Sequence, residues 1–249
     1  MQPHRIRYWL TPPPQDARFE AQVADICGVY REAPARAAEG VRTVVTDELT
    51  GIQALERKHE GFPMVPGKVQ RREFEYIRHG TCTAILSRDV VTGQVLAPTL
   101  GPKRREREFL AHIQGVVATD EQARQWHVVV DNLNTHQSES FVRWVAAESD
   151  LDIELGEKGK SGILQSKQSR AAFLSDASHR IVFHYTPKHC SWLNQMEIWL
   201  GILVRKLLKR GSFTSVTDLK TKILGFIDYY NRTMAKPFKW TYEGKPLVA

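Results

Sequence analysis

Asp47, Asp131 and Glu197 are the residues of this sequence whose types and positions could do chemistry. Asp47 follows the β-rich run Val41-Arg-Thr-Val-Val-Thr46, and Asp131 follows the short apolar run Trp126-His-Val-Val-Val130. Side chains at strand ends sit at a sheet rim, where α/β sheets commonly bind ligands. Two carboxylates brought together there repel, and each is destabilised unless protonated or neutralised by a cation. A divalent ion resolves that conflict, and Mg2+ prefers oxygen ligands. A single Asp after a strand is more often a turn or cap residue, so the argument needs the pair and a third acid. Glu197 supplies it. On a helical projection Leu193, Met196, Leu200, Leu203, Val204 and Leu207 share a stripe, with Glu197 at its margin beside Leu193 and Val204. Gly201 follows one turn later on nearly the same azimuth and leaves room for an approach to the carboxylate. A mid-helix Gly costs about 1 kcal/mol relative to Ala, which points to a packing or approach requirement.

The elements that must position these acids follow from periodicity and turn residues. An amphipathic helix is predicted over 16–31, with Phe19, Val23, Ile26 and Tyr30 on one face, ending before Pro34. Pro12, Pro13 and Pro14 ahead of it form a stiff linker. Strands are predicted over 41–46, 81–86, 94–100, 126–130 and 180–185, and helices over 104–117, 138–148, 191–209 and 216–231. Ser138 is the expected N-cap of the second of these helices. Residues 149–179 are polar and rich in Gly, Ser and Lys, and read as an insertion. Three strands able to pair as a meander, then alternating helices and strands, predict an α/β fold: a mixed sheet flanked by helices. In that order the two aspartates can meet only if the first and fourth strands are neighbours.

Composition narrows the setting. The 249 residues suit one large domain with small appendages. No apolar run approaches the roughly 20 residues that span a bilayer, the N-terminus lacks a signal-peptide core, and three scattered cysteines suggest a reducing compartment. A cytoplasmic protein without a membrane partner is the expectation. The net charge is +7, and from 158 to 210 ten Lys or Arg face only Asp176 and Glu197, so the rest of the chain is slightly acidic. A concentrated basic segment is the footprint of a phosphate-backbone partner. Lys158, Lys160, Lys188, Arg205, Lys206, Lys209 and Arg210 are its candidate DNA contacts; the bland alternative is a solvated basic face. Gly156-Glu-Lys-Gly-Lys-Ser161 lacks the first glycine of a phosphate-binding loop, and His184, His189 and Cys190 fit no common zinc spacing.

Three blocks extend this reading. Thr46-Asp-Glu-Leu-Thr-Gly-Ile-Gln53, Val130-Asp-Asn-Leu-Asn-Thr-His136 and His184-Tyr-Thr-Pro-Lys-His-Cys-Ser-Trp-Leu-Asn-Gln-Met-Glu-Ile-Trp199 resemble the catalytic blocks of mariner-like bacterial insertion-sequence transposases of the Asp-Asp-Glu superfamily. The resemblance continues through Arg210-Gly-Ser-Phe213 and Tyr229-Tyr-Asn-Arg-Thr233, and so covers nearly everything from Arg42 onward. It implies a ribonuclease-H-like catalytic domain over 41–236 and a triad of Asp47, Asp131 and Glu197 holding two Mg2+ ions, with Mn2+ as a substitute. It further implies cut-and-paste cleavage and strand transfer of double-stranded DNA, at element ends and target, by a homodimer. Asn132, Asn134, His136, His184 and Asn194 are placed to orient the carboxylates or contact the scissile phosphate. The 66-residue interval from Asp131 to Glu197 exceeds the family's usual spacing, and the 149–179 insertion accounts for the excess. Family members open with helix-turn-helix domains. Here His4-Arg-Ile-Arg-Tyr-Trp-Leu10 reads as the tail of one, so 1–40 is expected to be a remnant of that domain with a linker and short helix, and 237–249 a C-terminal tail. The rival expectations are a catalytically inactive DNA-binding remnant and a nuclease without strand transfer.

Overall fold

A computed structural model describes residues 17–188 and 190–242. The proline run at 12–14 and the segment 4–10 lie outside the described residues. Five strands form one sheet: β1 (Val41–Arg57), β2 (Tyr76–Asp89), β3 (Val95–Gly101), β4 (Gln125–Val130) and β5 (Ile181–Tyr185), in the order β3-β2-β1-β4-β5. The first three pair antiparallel, and β4 and β5 run parallel to β1. This is the mixed sheet flanked by helices that the sequence predicts, with the first and fourth strands adjacent.

Each face of the sheet buries its own apolar cluster. On one face Val45, Ala84, Leu86 and Val129 pack with α1 (Ala17–Ala38), α5 (Gln195–Leu203) and α6 (Val216–Thr233). On the other, Val44, Ile85, Val128, Val130 and Phe183 pack with α2 (Glu106–Val117), α3 (Glu139–Glu148) and α4 (Lys167–Leu174). The alternation along β1 and β4 follows from the two-residue side-chain period of a strand. Because both faces are covered, β4 and β5 read as nearly continuous apolar runs.

Four elements differ from their expected form. β1 and β2 continue well past 46 and before 81 as a two-stranded ribbon, with register shifts between Leu49 and Ile52 and between Gln53 and Leu55. Gly51, at φ +66°, sits inside the first shift, where a side chain would be strained. The helix expected to stop before Pro34 carries that proline inside α1 and runs on to Ala38. Burial of Val29, Tyr30 and Ala33 against the sheet face outweighs the lost hydrogen bond. The single helix expected over 191–209 is divided into a 3₁₀ turn at Ser191–Leu193, then α5, then a π-helical turn at Val204–Leu208.

The 149–179 segment contains α4 and joins the core. Ser166 caps α4 by accepting from Ser169 N at 3.0 Å, while Leu164 and Leu174 are fully buried in the second cluster. Gly156, at φ +83°, lies so close to Ser161 that a Cβ would meet its carbonyl oxygen at 2.3 Å. Leu164→Ala is therefore expected to lower the unfolding free energy by about 2–4 kcal/mol. Urea denaturation tests this, and a change within experimental error would make the segment an appendage independent of the core.

A second expectation concerns acid. His112 is buried between Ser87 Oγ, 2.8 Å from Nε2, and Thr99 Oγ1, 2.9 Å from Nδ1, and burial pulls its pKa down to about 4. The folded value lies below the unfolded value of about 6.5, so its contribution is present above 6.5 and lost as pH falls toward 4. The urea midpoint should drop across that window, and less steeply in His112→Gln; parallel curves would show that the ring titrates freely.

Candidate active site

The parallel pairing of β1 with β4 sets Val44 opposite Val128 and Val45 opposite Val129. Two residues further along this register, Asp47 comes beside Asp131. β4 ends at Val130, whereas β1 runs on through Asp47, so only Asp131 stands at a strand terminus. Asp47 reaches the rim because its neighbour stops, not because its own strand does.

Asp47 is half-buried. Its Oδ1 accepts from Glu48 N at 2.7 Å and its Oδ2 from Asn194 Nδ2 at 3.2 Å. Both partners are neutral donors. Burial pushes the Asp47 carboxyl up to about 7, and although the Glu48 amide opposes this, the charges of Glu197, Asp131 and Glu48 raise it further. The structure thus brings the three sequence-nominated acids within electrostatic reach at Asp47. Glu197 itself is exposed in the first turn of α5, whose buried residues include Met196, Trp199, Leu200 and Leu203. The room that Gly201 was expected to leave is taken by Arg205: a Cβ there would meet its guanidinium nitrogen at 3.1 Å.

Asp131 has the opposite surroundings. Its Oδ1 lies 2.7 Å from His136 Nδ1 and also accepts from Leu133 N at 3.1 Å. The His136 ring stacks on Phe109 with centroids 3.9 Å apart, and its Nε2 lies 3.3 Å from Glu48 Oε1. Burial opposes charge on this imidazole, but hydrogen bonds to Asp131 and Glu48 outweigh it and raise its pKa to about 9. Burial likewise disfavours the Asp131 carboxylate, yet the bond from His136 holds it below the usual range. His136 is accordingly an imidazolium bridging two carboxylates.

Glu48 is the group that sequence reasoning missed. Its side chain is only 2% exposed, held by His136 and, at 3.5 Å, by Arg104. An acid directly after Asp47 on a strand points to the other face, and no local signal marks that face as buried. Asn194 combines two tasks: its Oδ1 caps α5 by accepting from Met196 N at 3.0 Å, while Nδ2 donates to Asp47 and to Thr46 O. Asn132 Oδ1 accepts from Gln137 Nε2 at 2.8 Å, and Asn134 is exposed at the start of a 3₁₀ turn. His184 belongs to another network: its Nδ1 lies 2.8 Å from Asp25 on α1 and its Nε2 2.7 Å from His127 on β4. Of the basic residues, Lys158 and Lys160 lie 3.8 and 2.5 Å from Glu139 and Glu157. Lys188, Arg205, Lys206, Lys209 and Arg210 are exposed.

The donor chemistry fits a hard divalent cation. Asp47, Asp131 and Glu197 offer only oxygen, and both hydrogen bonds given to Asp47 come from neutral donors. Among the described residues, no three His, Cys, Asp or Glu side chains already stand in a metal-holding arrangement. Nor is any helix among them long and apolar enough to cross a membrane.

Comparison with known proteins adds a family. The model for the DDE superfamily endonucleases matches residues 42–220. Among solved structures, a pre-cleavage Mos1 transpososome aligns with 93% of this chain at 12% identity and a TM-score of 0.48, and the chain spans 61% of that protein's length. The catalytic domain of Mos1 mariner transposase aligns with 90% at 11% identity and a TM-score of 0.45, with 86% of that domain covered. The same domain with Raltegravir and Mg aligns with 88% at 12% identity and a TM-score of 0.43, with 85% covered. No curated protein matches.

Asn194→Ala is expected to cost about 1–2 kcal/mol of stability through loss of the helix cap. Asn194→Asp restores the cap but sets a further carboxylate beside Asp47. It should therefore regain stability in thermal denaturation near pH 5 and lose that gain as the pH is raised through 8. Equal stability of the two variants across this range would show that Asn194 and Asp47 are not coupled.

Proposed function

The chain belongs to the DDE superfamily endonucleases, and from that membership we propose that it is the catalytic part of a DNA transposase that cleaves and joins DNA strands with Asp47, Asp131 and Glu197. The observation that carries this reading is the electrostatic state of Asp47. A half-buried carboxyl whose hydrogen bonds come from neutral donors and which is pressed by neighbouring acids favours either a proton or a bound cation. Divalent ions held by these acids, Mg2+ or Mn2+, supply the charge that stabilises attacking and leaving oxygens in phosphoryl transfer.

The chain's own residues do the rest. Asn194 and the Glu48 amide fix both oxygens of Asp47, so that its lone pairs face the rim in one orientation. His136, locked by its stack on Phe109 and by Glu48, holds Asp131 from the opposite side. Such outer partners orient ligands and tune their basicity. Glu197, exposed in the first turn of α5, is proposed as the third acid, and the buried face of that helix ties it to the sheet. The exposed Lys188, Arg205, Lys206, Lys209 and Arg210 are proposed to neutralise backbone phosphates of double-stranded DNA. Assembly as a homodimer on DNA belongs to the same proposal.

The test is Mg2+-dependent nicking of supercoiled plasmid by the purified chain. Asp47→Ala, Asp131→Ala and Glu197→Gln should each fall to background, and His136→Gln should lose about 10–100-fold. Undiminished cleavage by any one of the three removes that residue from the triad. Nicking with no strand-joined product reduces the activity to hydrolysis.

A further inference from the structure

Beside the acidic cluster, a cavity of about 390 Å3 opens among the loop that follows β4, the first turn of α4 and the residues after β5. This volume lies in the range of sites that enclose a small ligand. Its wall includes Asn132, Gln137, Lys167, Gln168, Tyr185 and Lys188. Two lysines line the cavity and no carboxylate does. In contrast to Lys158 and Lys160, which reach glutamates, neither Lys167 nor Lys188 forms an ion pair among the described residues.

Lys167 is held in place. Its Nζ donates to Asn132 O at 2.8 Å, one residue along the chain from Asp131. The insertion that carries it is fastened to the same loop through Arg170, whose Nε donates to Gln137 O at 2.7 Å and whose guanidinium also reaches Leu164 O at 3.1 Å. An ammonium restrained in this way loses little conformational freedom when it meets an anion. Lys188 lines the same cavity, and the side-chain amides of Gln22 and Gln168 add donors and acceptors to its wall. Two cations lining a cavity without acids favour an anion.

We propose that this cavity seats a nucleotide next to the cleaved bond, with its phosphodiester between Lys167 and Lys188, so that the 149–179 insertion positions the strand against Asp131. The inference rests on the DNA reading given above. Lys167 acts here as a positioning residue: it touches the strand one step from the reacting phosphate.

Retention of a labelled duplex oligonucleotide by the full chain, measured from about 50 to 200 mM salt, tests it. Lys167→Gln and Lys188→Gln should each weaken binding several-fold and flatten the salt slope by about 1, whereas Lys167→Arg keeps both. Lys222→Gln on α6, which breaks an exposed pair with Asp218, should match the wild type. In plasmid nicking the two glutamine variants should raise KM far more than they lower kcat. Lys188 is exposed, so its variant carries the test even if Lys167→Gln fails to fold. Wild-type affinity and slope in both glutamine variants overturn this inference alone; a wild-type chain that retains no duplex at low salt overturns the DNA reading and this inference with it.

Discussion

The parallel pairing of β1 with β4 is the constraint on which the site depends. It is specified by burial rather than by polar contacts: Val44 and Val45 on one strand and Val128 and Val129 on the other alternate between two dry clusters. A slip of one residue would exchange every side chain between the faces and expose one set to the wrong partners. That register, held by apolar contacts, is what forces two aspartates to be neighbours at the rim. The electrostatic cost of their proximity is met by the hydrophobic stabilisation of the sheet behind them, which separates the requirement for folding from the requirement for chemistry.

The two aspartates then diverge because their surroundings do. Asp47 faces neutral donors and other carboxylates, and its pKa is pushed up to about 7. Asp131 faces an imidazolium and is held low. The difference originates in His136, whose ring is clamped between Phe109 and the buried Glu48. Glu48 thus has two effects of opposite sign: its charge burdens Asp47, while its bond to His136 helps the ring keep the proton that stabilises Asp131. Burial and neighbouring acids thus push Asp47 toward its protonated form, while His136 favours the ionised form of Asp131.

Much of this was legible in the sequence because periodicity and strand-end acids are local signals. The five strands and most helices follow from them, and the blocks around Asp131 and Glu197 carried the family resemblance. What escaped was non-local. The outer half of β2 has no burial alternation to read, since Tyr76 and Ile77 are both exposed, and the buried Ile52 and Ala54 of β1 lie beyond the register shift at Gly51. α4 hides in Lys-Gln-Ser-Arg, with only Leu174 fully buried among its residues. The continuation of α1 through Pro34 depends on the sheet face it covers. Glu48 looks like a solvent-facing acid until a histidine 88 positions away reaches it.

Each sheet face recruits a segment that composition marked as peripheral. α1 and residues up to Tyr242 close one cluster: Arg88, buried in β2, donates to Lys236 O at 2.6 Å and lies 3.7 Å from the ring centre of Phe238. The insertion closes the other with Leu164 and Leu174. A polar segment that contributes two buried leucines cannot be removed without opening the core, and its Lys167 is held against the loop after β4 by its bond to Asn132 O. Rigid attachment is what distinguishes a basic group able to aim a phosphate from one that only attracts it, because restrained cations give up less conformational freedom on binding. The same apolar contacts that set the aspartates side by side therefore also determine where charge is presented around them.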